Sequence, residues 1–425
     1  MQENWNSVGI APANILLPRE NLSHTAWAVV ACDQYTSQPA YWEETALAVG
    51  DQPSTLHITL PEIYLSESEK RMPRIHQTME DYIRQGTIYE AVHQGFILIE
   101  RHTGSGARLG LVVAADLDSY DFAPGSASMI RATEGTILSR IPPRLAIRKN
   151  AKMECTHVML LMDDVMESVV EPLYSIRGEL PVLYDFPLQM GGGHLKGWAV
   201  TKPELLSQVC AALTALKARL PEDNPLLFAV GDGNHSLATA RTHWLELKKT
   251  LTPQEAQVHP ARYALVEIEN IHDDALTFEP IHRVVFHANG DKLMHDWTMY
   301  CHERGMDLSE SPSRPGDQAI GVCYGGSEMQ AVISQPEASL AVGTLQKFLD
   351  DWLSKNPGAE IDYIHGEETV RDLCSRPDTI GFLLPALEKG ALLPAVRTDG
   401  ALPRKTFSMG AAHEKRYYME CRTIR

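Results

Sequence analysis

Gly231-Asp232-Gly233-Asn234-His235-Ser236 puts two glycines, a carboxylate, an amide, an imidazole and a hydroxyl into consecutive positions. Glycines two apart let the backbone turn sharply and approach a bound group closely, and Asp232, Asn234 and Ser236 are residue types that cap helices. Leu226 to Val230 is an apolar run of buried-strand length, and Ser236 to Trp244 opens a helix with Leu237, Ala240 and Trp244 on one side. A strand, a glycine turn and a helix start together favour an anion, because the first-turn amides lack intrahelical partners and the helix dipole adds partial positive charge. On this reading Gly231, Gly233, Asn234 and Ser236 hold a phosphate or carboxylate. The same letters are also ordinary turn chemistry between strand and helix in an α/β protein, and both readings stay open at this stage.

Other segments carry related groups. Gly191-Gly192-Gly193 removes every side chain from a short arc, which permits close approach of a ligand or of another strand and makes Gly192 and Gly193 a candidate pocket wall. Lys196 beyond it suits either a point-charge contact to phosphate or plain solvation. Asp33, Gln34 and Ser37 follow the strand expected over Ala26 to Cys32, a common place for ligand contacts and equally for a capped loop. Asp116, Asp118 and Asp121 lack the glycine-and-glutamate pattern of a calcium loop and read as a solvated turn.

The elements that must position these groups alternate between strand and helix. Strands are expected over Gly95 to Arg101 and Arg108 to Leu117, joined by the turn residues Thr103 to Gly106, and over His157 to Met162, Leu180 to Phe186, Trp198 to Thr201 and Tyr263 to Ile268. Helical spacing marks Ala40 to Val49, Ser66 to Gln85, Glu167 to Ile176 and Glu204 to Leu220, and later Lys292 to Gly305 and Leu340 to Ser354. At 425 residues the chain is long enough for two domains, expected over 1–275 and 276–425. A formal charge of −17 argues against wrapping nucleic acid or lying on an anionic membrane, since both require a basic face. Seven scattered cysteines without a close pair read as reduced thiols, and the absence of a spanning-length apolar run gives a cytoplasmic expectation. Oligomeric state is not legible.

The Gly231 to Ser236 loop resembles the Asp-Gly-His-His-Arg loop shared by free serine kinases, ParB-type nucleotide-binding proteins and relatives of sulfiredoxin. Most of the chain is similar to a bacterial group, domain-of-unknown-function family ten-fifteen. The similarity rests jointly on Gly231 to Ala240, Trp27 to Trp42, Ile130 to Thr136, Met190 to Gly197, Glu279 to Val284 and Pro403 to Phe407. It implies a mixed α/β (α+β) fold, with a ParB/sulfiredoxin-like nucleotide-loop core inside a larger α/β domain and a second α+β domain behind it. It also implies a nucleotide, ATP or ADP, bound with Mg²⁺ at Asp232, and a catalytic role for His235 beside it.

Glu134 then corresponds to the glutamate proposed as the kinase base, with Thr133 in place of the usual histidine. A carboxylate suits removal of an alcohol proton, and pairing with Arg131 or Arg140 is its structural alternative. The acceptor side is assigned to Arg131, His282, Arg283, Lys405 and Thr406. Neighbours on a strand face opposite sides, so at most one of His282 and Arg283 enters a given cleft, and Arg283 is favoured. This chain departs from the kinase loop at Asn234, where the first histidine stands, and at Ser236, where the arginine stands, and so lacks a bidentate phosphate donor.

The function expected is phosphoryl transfer from a nucleotide to a small hydroxyl-bearing metabolite, with free serine leading. A catalytically silent nucleotide or metabolite binder is one rival, supported by Ser236. A metal-dependent phosphoesterase is the other, suggested by Gly-Asn-His, although its further Asp and His ligands have no clear place in the chain.

Overall fold

The computed structural model describes residues 4–31, 35–155, 158–311 and 314–425. Asp33, Gln34 and His157 lie outside the described residues. The chain forms two compact units, Met1–Leu276 with Gly410–Arg425, and Thr277–Met409. The sequence reading gave all of 276–425 to one domain. The closing stretch instead packs in the first unit, because Cys421–Thr423 pairs with both Ala13–Pro18 and Met153–Cys155, and Tyr417–Tyr418 pairs with Val29–Val30.

The first unit is built on a 13-stranded mixed sheet. Its middle runs Ile130–Ala132, Phe228–Asp232, Val158–Met162, Tyr263–Asn270, Gly106–Asp116 and Ile88–Thr103. Phe96, Leu98, Leu111 and Val113 enter the core on one face, while Ile97, Ile99, Val112 and Ala114 enter the core on the other. Burial of both faces explains why these strands read as unbroken apolar runs rather than as alternation. The helices Pro203–Lys217 and Asn234–Lys248 send Leu205, Val209 and Leu213, and Leu237, Ala240 and Trp244, into the first of these cores.

Several local expectations give way to side-chain hydrogen bonds. The strand expected over Ala26 to Cys32 begins instead as the short helix His24–Trp27, because Ser23 Oγ accepts from the Ala26 amide at 3.2 Å and caps it. Val29–Val30 is the strand there. The helix expected over Glu167 to Ile176 shrinks to Glu171–Ser175. Asp164 takes the amides of Ser168 and Val169 at 2.6 and 3.0 Å, which turns the chain before a helix can start. Of the acids read as a solvated turn, Asp121 does cap a local turn, accepting from the Ala123 amide at 3.1 Å, but Asp116 pairs with Arg262 at 2.6 Å, and Asp118 accepts from Trp244 Nε1 at 2.9 Å and Lys248 Nζ at 2.8 Å.

The second unit is a seven-stranded sheet ordered Asp307–Ser309, Ser327–Ser334, Gln318–Tyr324, Thr379–Leu383, Phe278–Phe286, Glu360–His365, with Phe407–Met409 added to Phe278–Pro280. Val285, Ile320, Val322, Ile380 and Phe382 pack with the helices Gly290–Glu303 and Ala341–Lys355. Val284, Cys323 and Leu383 face Val370 and Cys374 of the helix Glu367–Cys374 on the other side.

Candidate functional site

Two strands of the first unit leave the sheet side by side. Ile130–Ala132 runs parallel to Phe228–Asp232, with Ile130 opposite Phe228 and Ala132 opposite Val230. Thr133-Glu134 and Gly233-Asn234 therefore emerge at the same edge, beyond the carboxyl ends of parallel strands, where open α/β sheets collect ligands.

Side chains tie the two exits together. Thr133 Oγ1 donates to the Val230 carbonyl at 2.6 Å, and Asn234 Nδ2 reaches Thr133 Oγ1 at 3.5 Å. The Ile137 amide donates to His235 Nε2 at 3.3 Å. Glu134, Gly135 and Thr136 are strung between these anchor points, and the Glu134 side chain is half-buried. The imidazole nitrogen that meets the loop is an acceptor. His235 thus braces the Glu134 loop.

The turn itself depends on one glycine. Gly233, with φ of 84°, is the N-cap of Asn234–Lys248 and provides no side-chain cap. A Cβ there would stand 3.0 Å from Val158 Cγ2, so both conformation and space demand glycine. Asp232 Oδ1 accepts from the Gly233 amide at 2.8 Å, and Asp232 Oδ2 lies 3.9 Å from Lys415 Nζ.

Lys415 is the residue the sequence reading missed. Its side chain is 11% exposed, and its backbone is held by buried charge. Arg101 donates to the carbonyls of Lys415, His413 and Gly192, the last two at 2.8 and 3.0 Å. Arg416 pairs with Glu267 at 2.5 Å and with Glu420, while Arg108 pairs with Glu269 at 2.9 Å. Burial lowers the Arg101 guanidinium to about 9, with Arg108 adding to the effect, and it stays cationic near neutral pH. Burial also pushes the Glu269 carboxyl up, against the pull of Arg108. Removing one member of such a buried network typically costs about 3–5 kcal/mol, so the tail that carries Lys415 is strongly held. The signal in the sequence was a charged run, Glu414 to Arg416, followed by Tyr417 and Tyr418, which gives no hint of the long-range partners.

Of the two approaches the glycine run permits, a ligand or another strand, the structure shows the chain's own segments making it. A Cβ on Gly193 would fall 1.9 Å from the His102 carbonyl oxygen, and one on Gly192 would fall 2.3 Å from the Tyr417 hydroxyl. Gly192 and Gly193 thus admit the chain's own strand and tail. Lys196 pairs with Asp185 at 2.7 Å. Arg131 is buried, and its Nη1 donates to the Ser126 carbonyl at 2.9 Å, bracing the preceding loop.

The remaining expected acceptor residues belong to the second unit. Arg283 is fully buried; it donates to Gln346 Oε1 at 3.0 Å and to the carbonyls of Lys405 and Arg404 at 2.8 and 3.2 Å. Its guanidinium lies over the Tyr363 ring at 4.8 Å. Arg283, expected to hold the acceptor's carboxylate, is instead buried and holds the loop at Arg404 and Lys405. His282 is buried on the other face, where its Nδ1 accepts from the Leu384 amide at 3.0 Å, and burial lowers its pKa. Thr406 Oγ1 is turned inward to the Pro403 carbonyl at 2.6 Å, while Lys405, at φ 58°, is exposed.

A family model described as "Protein of unknown function (DUF1015)" matches residues 10–352. No curated protein matches. Eight chains of solved structures do. One is a free serine kinase in complex with AMP, at 10% identity and a TM-score of 0.38, covering 73% of this chain and 90% of that one. Another is a conserved hypothetical protein from Pyrococcus furiosus, at 10% identity and 0.34, covering 71% and 90%. A third is SbnI from Staphylococcus aureus with a C-terminal truncation, at 11% and 0.36, covering 71% and 83%. Likeness at this level carries no chemistry with it.

Proposed function

We propose that this chain, which belongs to the DUF1015 family of proteins of unknown function, binds a nucleotide phosphate at Gly231 to Ser236 and transfers a phosphoryl group to a small hydroxyl-bearing metabolite, free serine being the leading candidate. The observation that carries this reading is the parallel pairing of Ile130–Ala132 with Phe228–Asp232, which brings the Glu134 loop beside a helix start whose cap is a bare glycine. Phosphoryl transfer requires positioning, charge neutralisation and a proton acceptor more than covalent chemistry. The helix start provides partial positive charge. The Lys415 ammonium beside Asp232 supplies the full charge that Ser236 lacks.

Asp232 is the residue that would share a magnesium ion with the nucleotide. Mg²⁺ commonly takes one or two carboxylates plus phosphate oxygens, so a single aspartate fits it. When bound, the ion would neutralise phosphate charge. Glu134 would accept the alcohol proton as the acceptor oxygen bonds to phosphorus and the bond to the nucleotide breaks. Among the described residues no three His, Cys, Asp or Glu side chains converge as a metal centre, which leaves the phosphoesterase reading without a ligand set. Binding without turnover is the second reading, favoured by the engagement of His235 Nε2 with the Ile137 amide.

Glu134→Gln keeps the shape of the side chain and removes its proton acceptor. Turnover of nucleotide with a panel of hydroxyl-bearing amino acids should fall by about 10² or more while nucleotide affinity persists. Unchanged turnover would return Glu134 to a structural role, and no turnover in the parent protein with intact nucleotide binding would favour the silent binder.

A further inference from the structure

The second unit contains a cavity of about 250 Å³ that the phosphate-loop reading does not use. It is smaller than the roughly 300–1,000 Å³ of sites for drug-sized ligands, which restricts it to a compact metabolite. One face of the helix Ala341–Lys355 forms a wall with Gln346, Lys347 and Asp350, and the segment ending in Pro403 and Arg404 forms another.

Its charges are held in place from beneath. Arg283, fully buried, donates to Gln346 Oε1 at 3.0 Å. Gln346, itself 6% exposed, passes its amide to Asp350 Oδ1 at 2.8 Å. The same guanidinium binds the Arg404 and Lys405 carbonyls at 3.2 and 2.8 Å, which fixes the backbone from which the Arg404 side chain projects. One buried cation therefore positions an acid on one wall and a base on the other. Arg283 donates within the protein, Lys347 Nζ donates to the Glu337 carbonyl at 3.3 Å, and Asp399 accepts from the Ser339 amide and hydroxyl at 2.6 and 2.9 Å, so Asp350 and Arg404 are the charges the cavity presents to a ligand. Leu340 and Leu402 add apolar lining.

We propose that this cavity is a binding site for a small zwitterion of the α-amino acid type, with its ammonium toward Asp350 and its carboxylate toward Arg404. Opposite charges on facing walls of a small cavity select a ligand bearing both signs, since a singly charged ligand would leave one of them unmatched. Arg283 and Gln346 are positioning residues. The proposal is independent of nucleotide binding at Gly231 to Ser236.

The test is calorimetric titration of the full chain, without nucleotide, with L-alanine, propionate and ethylamine. Propionate is L-alanine without its ammonium and ethylamine is L-alanine without its carboxylate, so each keeps one of the two charges. L-Alanine should bind, and each single-charge analogue should bind about tenfold or more weakly. Asp350→Asn and Arg404→Ala should each weaken L-alanine by about tenfold or more while leaving the melting temperature near that of the parent, because neither side chain is buried core. Arg283→Lys should weaken it too, and is read only if the variant folds. Absence of L-alanine binding at millimolar concentration would overturn the proposal, as would propionate binding as well as L-alanine or Asp350→Asn binding L-alanine unchanged. Loss of nucleotide binding alone would leave it standing.

Discussion

Two regions of this chain were marked in the sequence by charged or polar residues beside strand ends, and the fold uses them in opposite ways. Around Gly233 the strand exits are joined by light contacts, a threonine hydroxyl on a carbonyl and an amide on an imidazole, while a carboxylate and an ammonium stand 3.9 Å apart. Around Arg283 the guanidinium is enclosed, donates to the protein's own carbonyls and an amide oxygen, and lies over a ring. A residue type announces what chemistry is possible, whereas its hydrogen-bond partners decide whether any of it remains for a ligand.

The largest effect should therefore come from Arg283. Arg283→Met leaves the Gln346 oxygen and two loop carbonyls buried without their donor and should destabilise the protein by about 3–5 kcal/mol, read as a lowered denaturation midpoint. A loss below about 1 kcal/mol would mean that the guanidinium is not the loop's main support and would erase the contrast between the two regions.

Acid challenges both regions, and His243 on the loop helix gives the clearer case. Burial, helped by Arg148, lowers its pKa from 6.5 to about 4. The unfolded chain accepts a proton near 6.5 while the fold resists until about 4. The contribution is thus complete above pH 6.5 and disappears as the pH falls toward 4, a loss on the order of 3 kcal/mol. Denaturant midpoints measured across that window should drop, and His243→Gln should flatten the decline. A midpoint that rises on acidification would contradict the assignment.

A smaller effect is expected at the strand exits. Thr133→Val removes one hydroxyl from between Val230 and Asn234 and should cost about 1–2 kcal/mol. If the hydroxyl also fixes Glu134, turnover should fall more than stability alone explains, whereas a purely structural hydroxyl would leave the rate per folded molecule unaltered.

Much of the architecture was legible because it follows from local pattern. The strand ending at Asp232, the helix that follows Gly233, and the Thr103 to Gly106 hairpin were readable from apolar runs, turn residues and helical spacing. Glycine at 191–193 was legible as a demand for close approach, but whether a ligand or the chain's own His102 and Tyr417 makes that approach depends on tertiary packing. Ala26 and Trp27 were read as strand rather than helix because a single serine cap decides it. Lys415 and its buried supports could not be found at all. Its neighbours Asp232, Arg101 and Glu267 are distant in sequence, and nothing local distinguishes a lysine delivered to a strand exit from one in a basic tail.

Probing the loop at Gly233 would confuse two effects, because any side chain there meets Val158 at a positive φ. Lys415 offers the cleaner handle, and thermal unfolding with and without nucleotide and Mg²⁺ is the most direct measurement. Nucleotide at about a hundred times its dissociation constant should stabilise the parent protein by about 2.7 kcal/mol, a rise of a few degrees in Tm. Lys415→Ala should unfold close to the parent without ligand and bind nucleotide about tenfold or more weakly. If no nucleotide shifts the parent at millimolar concentration, or if Lys415→Ala binds as the parent does, the phosphate site at Gly231 to Ser236 with Lys415 as its cation is contradicted.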